Sequence, residues 1–248
     1  MNRFDFLAAG TIASLAAHAS AVAADVSAAS NTAKAIAGIS VPDSRLAQEA
    51  MQQARAAEDP QIFRHSLRSF VFAELIANAR GIKRDRELVF VSAILHDLGL
   101  TTAHSTPGNR FEVDSASAAR ALLHAHGANA EATRIVWDAI TLHSMYDLAE
   151  FKDPEVKLVS AGVITDVAGA FVRILNRPDV QALLTEVPRR GFNDAFLAQL
   201  SAYAKRKPDT VAGTFIECVA ERTLPNYHAP NFYDSMKAAD AFAAFDES

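Results

Sequence analysis

One cysteine and one tryptophan occur in 248 residues, and glycine and proline number only 10 and 9. Each scarcity excludes something. Cys218 has no intramolecular partner, so no disulfide framework holds the fold, and there is no set of thiolates to close a structural zinc site. Flanked by Phe215, Ile216 and Val219, it reads as a buried, inert thiol. Positive charge is not in excess, since 24 basic residues face 29 acidic ones for a formal net of -5. With no basic stripe to follow a phosphate backbone, nucleic acid is not an expected partner. No glycine-rich anion loop is visible. Runs of Val and Ile bounded by turn residues, the mark of strands, are missing as well. Beyond the N-terminus nothing approaches the ~20 consecutive apolar residues of a membrane span, so the mature chain is expected to have none.

What is present is a chain 50% hydrophobic, enough to bury one sizeable core in a single domain. Arg3, an apolar run from Phe6 to Ala17, and Ala21-Val22-Ala23 as a small-x-small cleavage pattern together read as a secretory signal over residues 1–23. Asp5 and His18 interrupt the run, and a plain N-terminal extension is the alternative. A cleaved signal implies export, to the periplasm in a Gram-negative host; an uncleaved leader implies a cytoplasmic protein. Residues 24–40, mostly Ala, Ser, Asn and Gly, read as a flexible leader, with the folded domain spanning 41–248.

Within the domain, apolar residues recur at helical spacing throughout, which predicts an all-α fold. Helices are expected over about Pro60 to Asn78, ended by Gly81, and over Asp85 to Leu95. A polar loop from Gly99 to Glu112 follows, long enough to suggest a functional segment. Asp114 or Ser115 is expected to cap a helix through Ala125, and Asn129 another that carries Val136, Ala139 and Ile140. Asp153-Pro154 opens a long helix, and two more are expected over Phe192 to Lys205 and Asp209 to Arg222.

Polar residues stand at three places where this periodicity calls for apolar ones. Asp166 falls three residues after Val163 in the stripe Val156, Val159, Val163. His143 completes the spacing of Val136, Ala139 and Ile140. His96-Asp97 follow directly on the apolar run Leu88 to Leu95. An inward carboxylate is costly unless it is paired or bound to a metal. Imidazole nitrogen with carboxylate oxygen is a ligand set for a divalent ion. Such an ion lowers the pKa of water beside it towards neutrality, which suits hydrolysis or hydration.

An isolated His65, an adjacent His96-Asp97 and a distant Asp166, each on its own helix, resemble the HD metal-dependent hydrolase superfamily. The flanking segments Phe63-Arg64-His65-Ser66-Leu67-Arg68-Ser69, Ile94-Leu95-His96-Asp97-Leu98-Gly99, Arg110-Phe111-Glu112-Val113 and Ile164-Thr165-Asp166-Val167-Ala168-Gly169 look like its cyanamide hydratase branch, over about residues 42–225. The resemblance implies a single HD-type domain with the site between core helices. It implies one divalent ion, zinc first with iron or manganese also suited, held by His65, His96, Asp97 and Asp166. Asp97, Glu112 and His143 would carry the catalysis, and the reaction would add water to a nitrile-like carbon of a small molecule. Glu112 would shuttle a proton, with a plain helix-start carboxylate as its alternative. His143 would donate to developing negative charge or orient a ligand from behind. His126 is a further ligand candidate.

Two departures matter. Leu100 stands where phosphohydrolases of the superfamily often carry a lysine, and no adjacent His-His pair is present for a second metal. Phosphoester hydrolysis on a nucleotide is therefore the runner-up, needing Arg68, Lys83, Arg84 or Arg110 near the metal. A non-catalytic binding domain is the third reading. A pocket closed by Phe70, Trp137, Tyr146 or Phe171 would be small and largely apolar. A homo-oligomer is compatible with the sequence.

Overall fold

A computed structural model describes residues 35–239. The signal segment and the leader as far as residue 34 lie outside the described residues. A short antiparallel strand pair, β1 (Ala35–Ile36) and β2 (Ile39–Ser40), leads into eleven α-helices. These are α1 (Arg45–Ala57), α2 (Pro60–Arg80), α3 (Arg86–Leu95), α4 (Phe111–Ala125), α5 (Ala130–Thr141), α6 (Tyr146–Ala149), α7 (Pro154–Ala168), α8 (Arg177–Glu186), α9 (Phe192–Arg206), α10 (Glu217–Thr223) and α11 (Phe232–Lys237). The all-α expectation holds. Among the described residues no helix is long and apolar enough to cross a membrane.

Local chemistry sets the boundaries of the central helices. The Asp59 side chain accepts from the Gln61 amide, Pro60 fits the first helical position, and Gly81 closes α2 in the left-handed conformation at φ 63. Asp85 caps α3 through the amides of Glu87 and Leu88. Pro154 and Gly169 bound α7 in the same way as α2. α2 and α7 share the most extensive interface, with α3 beside both. Gly162 makes that closeness feasible, because a Cβ there would lie 2.2 Å from the Ser69 carbonyl oxygen.

Two apolar clusters result. The larger joins α1 to α7, with Phe70, Val89, Phe90, Ile94, Val136 and Val159 at its centre. The smaller joins α9 and α10 to Ile62, Leu100 and Phe111, through Phe192, Leu200, Tyr203 and Ile216.

Four sequence expectations need correction. Residues 35–40, read as the end of the leader, form a hairpin instead. Ala37 and Gly38 turn with φ 49 and 78, Ile36 is buried in the core, and Glu186 accepts the Ala37 amide at 2.6 Å. Second, α4 starts at Phe111, before Asp114 and Ser115, and Arg110 stands at its N-cap without a side-chain capping bond. Ser115 accepts the Gly99 amide at 2.8 Å, so its hydroxyl serves the preceding turn. Third, the helix expected over Asp209 to Arg222 is broken: Gly213 at φ 71 separates a single 3-10 turn, Pro208–Thr210, from α10. Fourth, Cys218 is exposed and not buried; it lies on the mouth side of a cavity and not in the core.

Asp114 has a different task from capping. Its carboxylate accepts from the Thr106 amide, the Asn109 side chain and Lys207 Nζ, each at 3.0 Å. The long loop and the end of α9 are thereby tied to α4. Burial works against the Asp114 charge, but the Thr106 amide, Asn109 and Lys207 together hold its carboxyl below the usual value. A depressed carboxyl stabilises the folded chain above its unfolded pKa of ~3.9, and the contribution disappears as pH falls through the folded pKa. Asp114→Asn should therefore cost about 1–3 kcal/mol at pH 7. The gap between variant and parent should narrow below about pH 4. Urea midpoints at pH 7 and pH 3 check this, and a gap that widens in acid would refute it.

Candidate metal centre

The residues singled out above converge where the two apolar clusters meet. α3 is buried from Leu88 to Leu95, so its C-terminal end opens at the centre of the molecule and delivers His96 and Asp97 there. Only glycine fits two residues on: a Cβ on Gly99 would lie 2.1 Å from the Phe111 carbonyl oxygen. His65 comes from the second turn of α2, His143 from just beyond α5, and Asp166 from the last turns of α7. All five are buried.

Hydrogen bonds fix which nitrogen of each imidazole faces the centre. His96 Nδ1 lies 2.8 Å from the Ala93 carbonyl oxygen and His143 Nδ1 lies 2.6 Å from that of Ile140. A carbonyl only accepts, so both Nδ1 atoms carry hydrogen. His65 Nδ1 lies 2.7 Å from Asp166 Oδ2 and donates likewise. In the neutral rings, three Nε2 lone pairs are left. His65 and His96 bring theirs 3.3 Å apart. Asp97 Oδ2 lies 3.2 Å from His96 Nε2 and 3.8 Å from His65 Nε2, yet has no hydrogen-bond partner. His143 Nε2 stands 3.9 Å from Asp97 Oδ1.

Acceptors gathered in a dry interior without a donor repel one another unless a cation joins them. His65, His96 and Asp97 have ligand atoms all within 4.8 Å of one another, a group that could hold a metal ion. The donor set fits a divalent ion of borderline hardness.

Electrostatics keep two of the rings neutral and incline His96 to hold a proton that a bound cation would replace. Burial pushes His143 down to about 3, helped by the charge of His96. Burial also lowers His65, although Asp166 opposes it. Both rings are therefore neutral near pH 7, with lone pairs available. Burial opposes charge on His96 too, but the adjoining Asp97 outweighs it and raises its pKa. Asp97 is held far below the usual carboxylate range, against its burial, by His96, His65 and His143.

Asp166 stands apart from this group. Its Oδ1 accepts from Arg68 Nε at 2.7 Å, and its Oδ2 from Arg68 Nη2 at 2.9 Å as well as from His65. Arg68 is fully buried and gives its remaining nitrogen to the Pro188 carbonyl. Glu112 lies in the first turn of α4, buried and ion-paired to Arg110 at 2.6 Å. His126 is bonded to Glu49 at 2.8 Å and takes no part in the cluster.

A cavity of about 430 Å³ opens onto His65, His96, Asp97 and His143. Of the aromatic residues expected to close it, Tyr146 alone lines it; Phe196 and Phe215 are there instead. Phe70 packs on Phe90, Trp137 lies under Arg120, and Phe171 packs on Tyr146. Glu58 was not foreseen. It is buried, its Oε1 has no partner, and burial and then the Asp97 charge raise its pKa. Standing between the end of α1 and the helix-capping Asp59, it carries no periodic signal of burial in the sequence.

Residues 62–165 match the family model of the HD domain. This segment is thus similar to HD domains. HD domains are of metal-dependent hydrolase type, and the matched stretch holds His65, His96, Asp97, Glu112 and His143 while ending one residue short of Asp166. No curated protein matches the chain.

Proposed function

We propose that this HD-domain protein adds water to a small uncharged molecule at a single-metal site, in the manner implied by its resemblance to the cyanamide hydratase branch. One observation carries the reading: three imidazole Nε2 atoms and an orphaned Asp97 oxygen meet at a cavity that, among the described residues, no Lys or Arg lines. A phosphate substrate needs positive charge beside the reacting group. Arg68, Arg84 and Arg110 are paired with Asp166, Glu74 and Glu112, and Lys83 is exposed.

His65, His96 and Asp97 would hold the ion, with zinc first among the candidates, and His143 would complete the set through its free Nε2. Asp166 would hold the His65 tautomer from behind, as carboxylates commonly do for metal-bound histidines, because its own oxygens are already taken. A divalent ion bound there supplies Lewis acidity and brings the pKa of water down towards neutrality. The protein's own part is to exclude bulk water and to present substrate carbon beside the Asp97 edge of the cavity. Proton transfer by Glu112 requires its pair with Arg110 to open. Glu112→Gln measures that role: metal content should be unchanged and turnover slowed, and an unchanged rate removes Glu112 from the mechanism.

The N-terminal pattern of Arg3, Phe6 to Ala17 and Ala21-Val22-Ala23 supports export as part of the same proposal, since small neutral molecules are met outside the cytoplasm more readily than nucleotides. The deciding experiment combines elemental mass spectrometry of the purified protein with assays of urea release from cyanamide and phosphate release from nucleotides. About one zinc or iron per chain with urea release is the expected outcome. Phosphate release would replace this reading with phosphoester hydrolysis. Neither metal nor turnover after reconstitution with divalent ions would leave a binding domain.

A further inference from the structure

We infer that the substrate is an uncharged molecule with an extended apolar body joined to the group that reacts. The inference rests on the hydration reading of the site and adds the substrate class. The polar floor of the cavity is small, and the walls are Val163, Val167, Phe196, Leu197, Leu200 and Phe215. Three of these, Val167, Leu197 and Phe215, remain 40%, 50% and 38% exposed. Large apolar side chains ringing a cavity mouth, with water left on them, mark a surface that a ligand covers.

Volume points the same way. About 430 Å³ lies in the range of pockets for drug-sized ligands, far beyond what a molecule as small as cyanamide fills. Charge limits the class further. Apart from the metal site itself, the described lining offers an anion no lysine or arginine, and a cationic head group would compete with metal for the same acceptors. What fits is a neutral alkyl or aryl compound whose single polar group reaches the floor.

For an N-alkylcyanamide the step balances without a redox partner. The nitrile carbon gains the oxygen of water, one carbon–nitrogen π bond breaks, a second rearranges to the urea carbonyl form, and both water hydrogens end on the terminal nitrogen.

Binding can be read apart from turnover. Cys218 lines the cavity and is exposed, so its modification by N-ethylmaleimide, followed by intact mass, reports occupancy. The full-length metal-loaded protein would be titrated with straight-chain nitriles from butyronitrile to decanenitrile. Protection should tighten by roughly fourfold per added methylene over the first several carbons. Leu197→Asp, at a half-exposed position, should flatten this gradient, and Phe215→Ser repeats the test should the first variant misfold. In parallel, cyanamide and its N-methyl to N-hexyl derivatives would be assayed for the corresponding ureas.

A gradient in protection with no urea from any compound upholds the apolar substrate class and removes the hydratase reading. Urea from cyanamide with a flat gradient overturns the present inference and leaves the hydratase reading standing. In the metal-free protein, octanoate protecting as well as octanenitrile would also overturn it, since the lining itself would then accept a charge.

Discussion

His96→Ala and Asp97→Ala are each expected to give folded protein that no longer retains metal on purification. The two residues follow α3 directly, and their ligand atoms lie 3.2 Å apart beside His65 Nε2. Both side chains are buried, and His96 also donates Nδ1 to the Ala93 carbonyl, so some loss of stability short of unfolding is expected. Asp97 Oδ2 is unpartnered, but the three histidines hold the carboxyl well below its usual range, so its removal should cost some stability at pH 7 without unfolding the chain. Helical circular dichroism and a urea midpoint establish that the variants fold; elemental analysis then reads the site. Asp166→Asn provides the contrast. It keeps the α7 helix and removes the charge behind His65, and its expected effect is about a 10–100-fold loss of metal affinity without loss of the ion at saturation. Full metal content in the Asp97 variant would dismiss the site. Complete loss in the Asp166 variant, with His143→Ala unaffected, would make Asp166 a direct ligand and His143 a bystander.

The contrast between these two residues also marks where the sequence stops being informative. Burial of Asp166 and His143 was readable from period 3.6, since each stands in an apolar stripe whose neighbours had to face the core. The central position of His96-Asp97 was readable because eight consecutive residues of α3 are apolar or small. Which atoms meet was not readable. Arg68 lies one turn from His65, and sequence alone made it no more than a candidate positive charge near the metal. The deciding fact is the close approach of α2 and α7 at Gly162, which brings Arg68 and Asp166 together across 98 positions of chain.

The misread segments share a cause. At Asp114 and Ser115, intrinsic capping preference lost to tertiary bonding, with Lys207 and Gly99 claiming the side chains. At residues 35–40 a two-residue turn and one buried isoleucine suffice for a strand pair too short to show periodicity. At Gly213 a single residue in the left-handed region divides an apolar pattern that otherwise reads as one helix. The cavity walls escaped notice for the same reason: Phe196, Leu197 and Phe215 belong to helical patterns, and pattern alone assigns such residues to a core.

Arg68→Met is expected to cost about 3–5 kcal/mol of folding stability. Arg68 is fully buried, forks onto both oxygens of Asp166, and stacks its guanidinium 5.1 Å above the Phe192 ring centroid. Methionine keeps much of the packing volume but leaves the Asp166 carboxylate with His65 and, at 3.6 Å, the part-exposed Arg189 as its side-chain partners. Desolvation of a charge stripped of its bidentate partner, more than loss of an attraction, sets the magnitude. Against a total of about 5–15 kcal/mol for a domain, the loss should appear as a large fall in urea midpoint. The double variant Arg68→Met with Asp166→Leu should recover most of it, because charge and counter-charge leave together. It should not recover metal affinity, since His65 then lacks the carboxylate that directs its Nε2 inward. A single-variant loss below about 1 kcal/mol would mean that water reaches Asp166, and the dry interior on which the site's acceptor cluster depends would have to be abandoned.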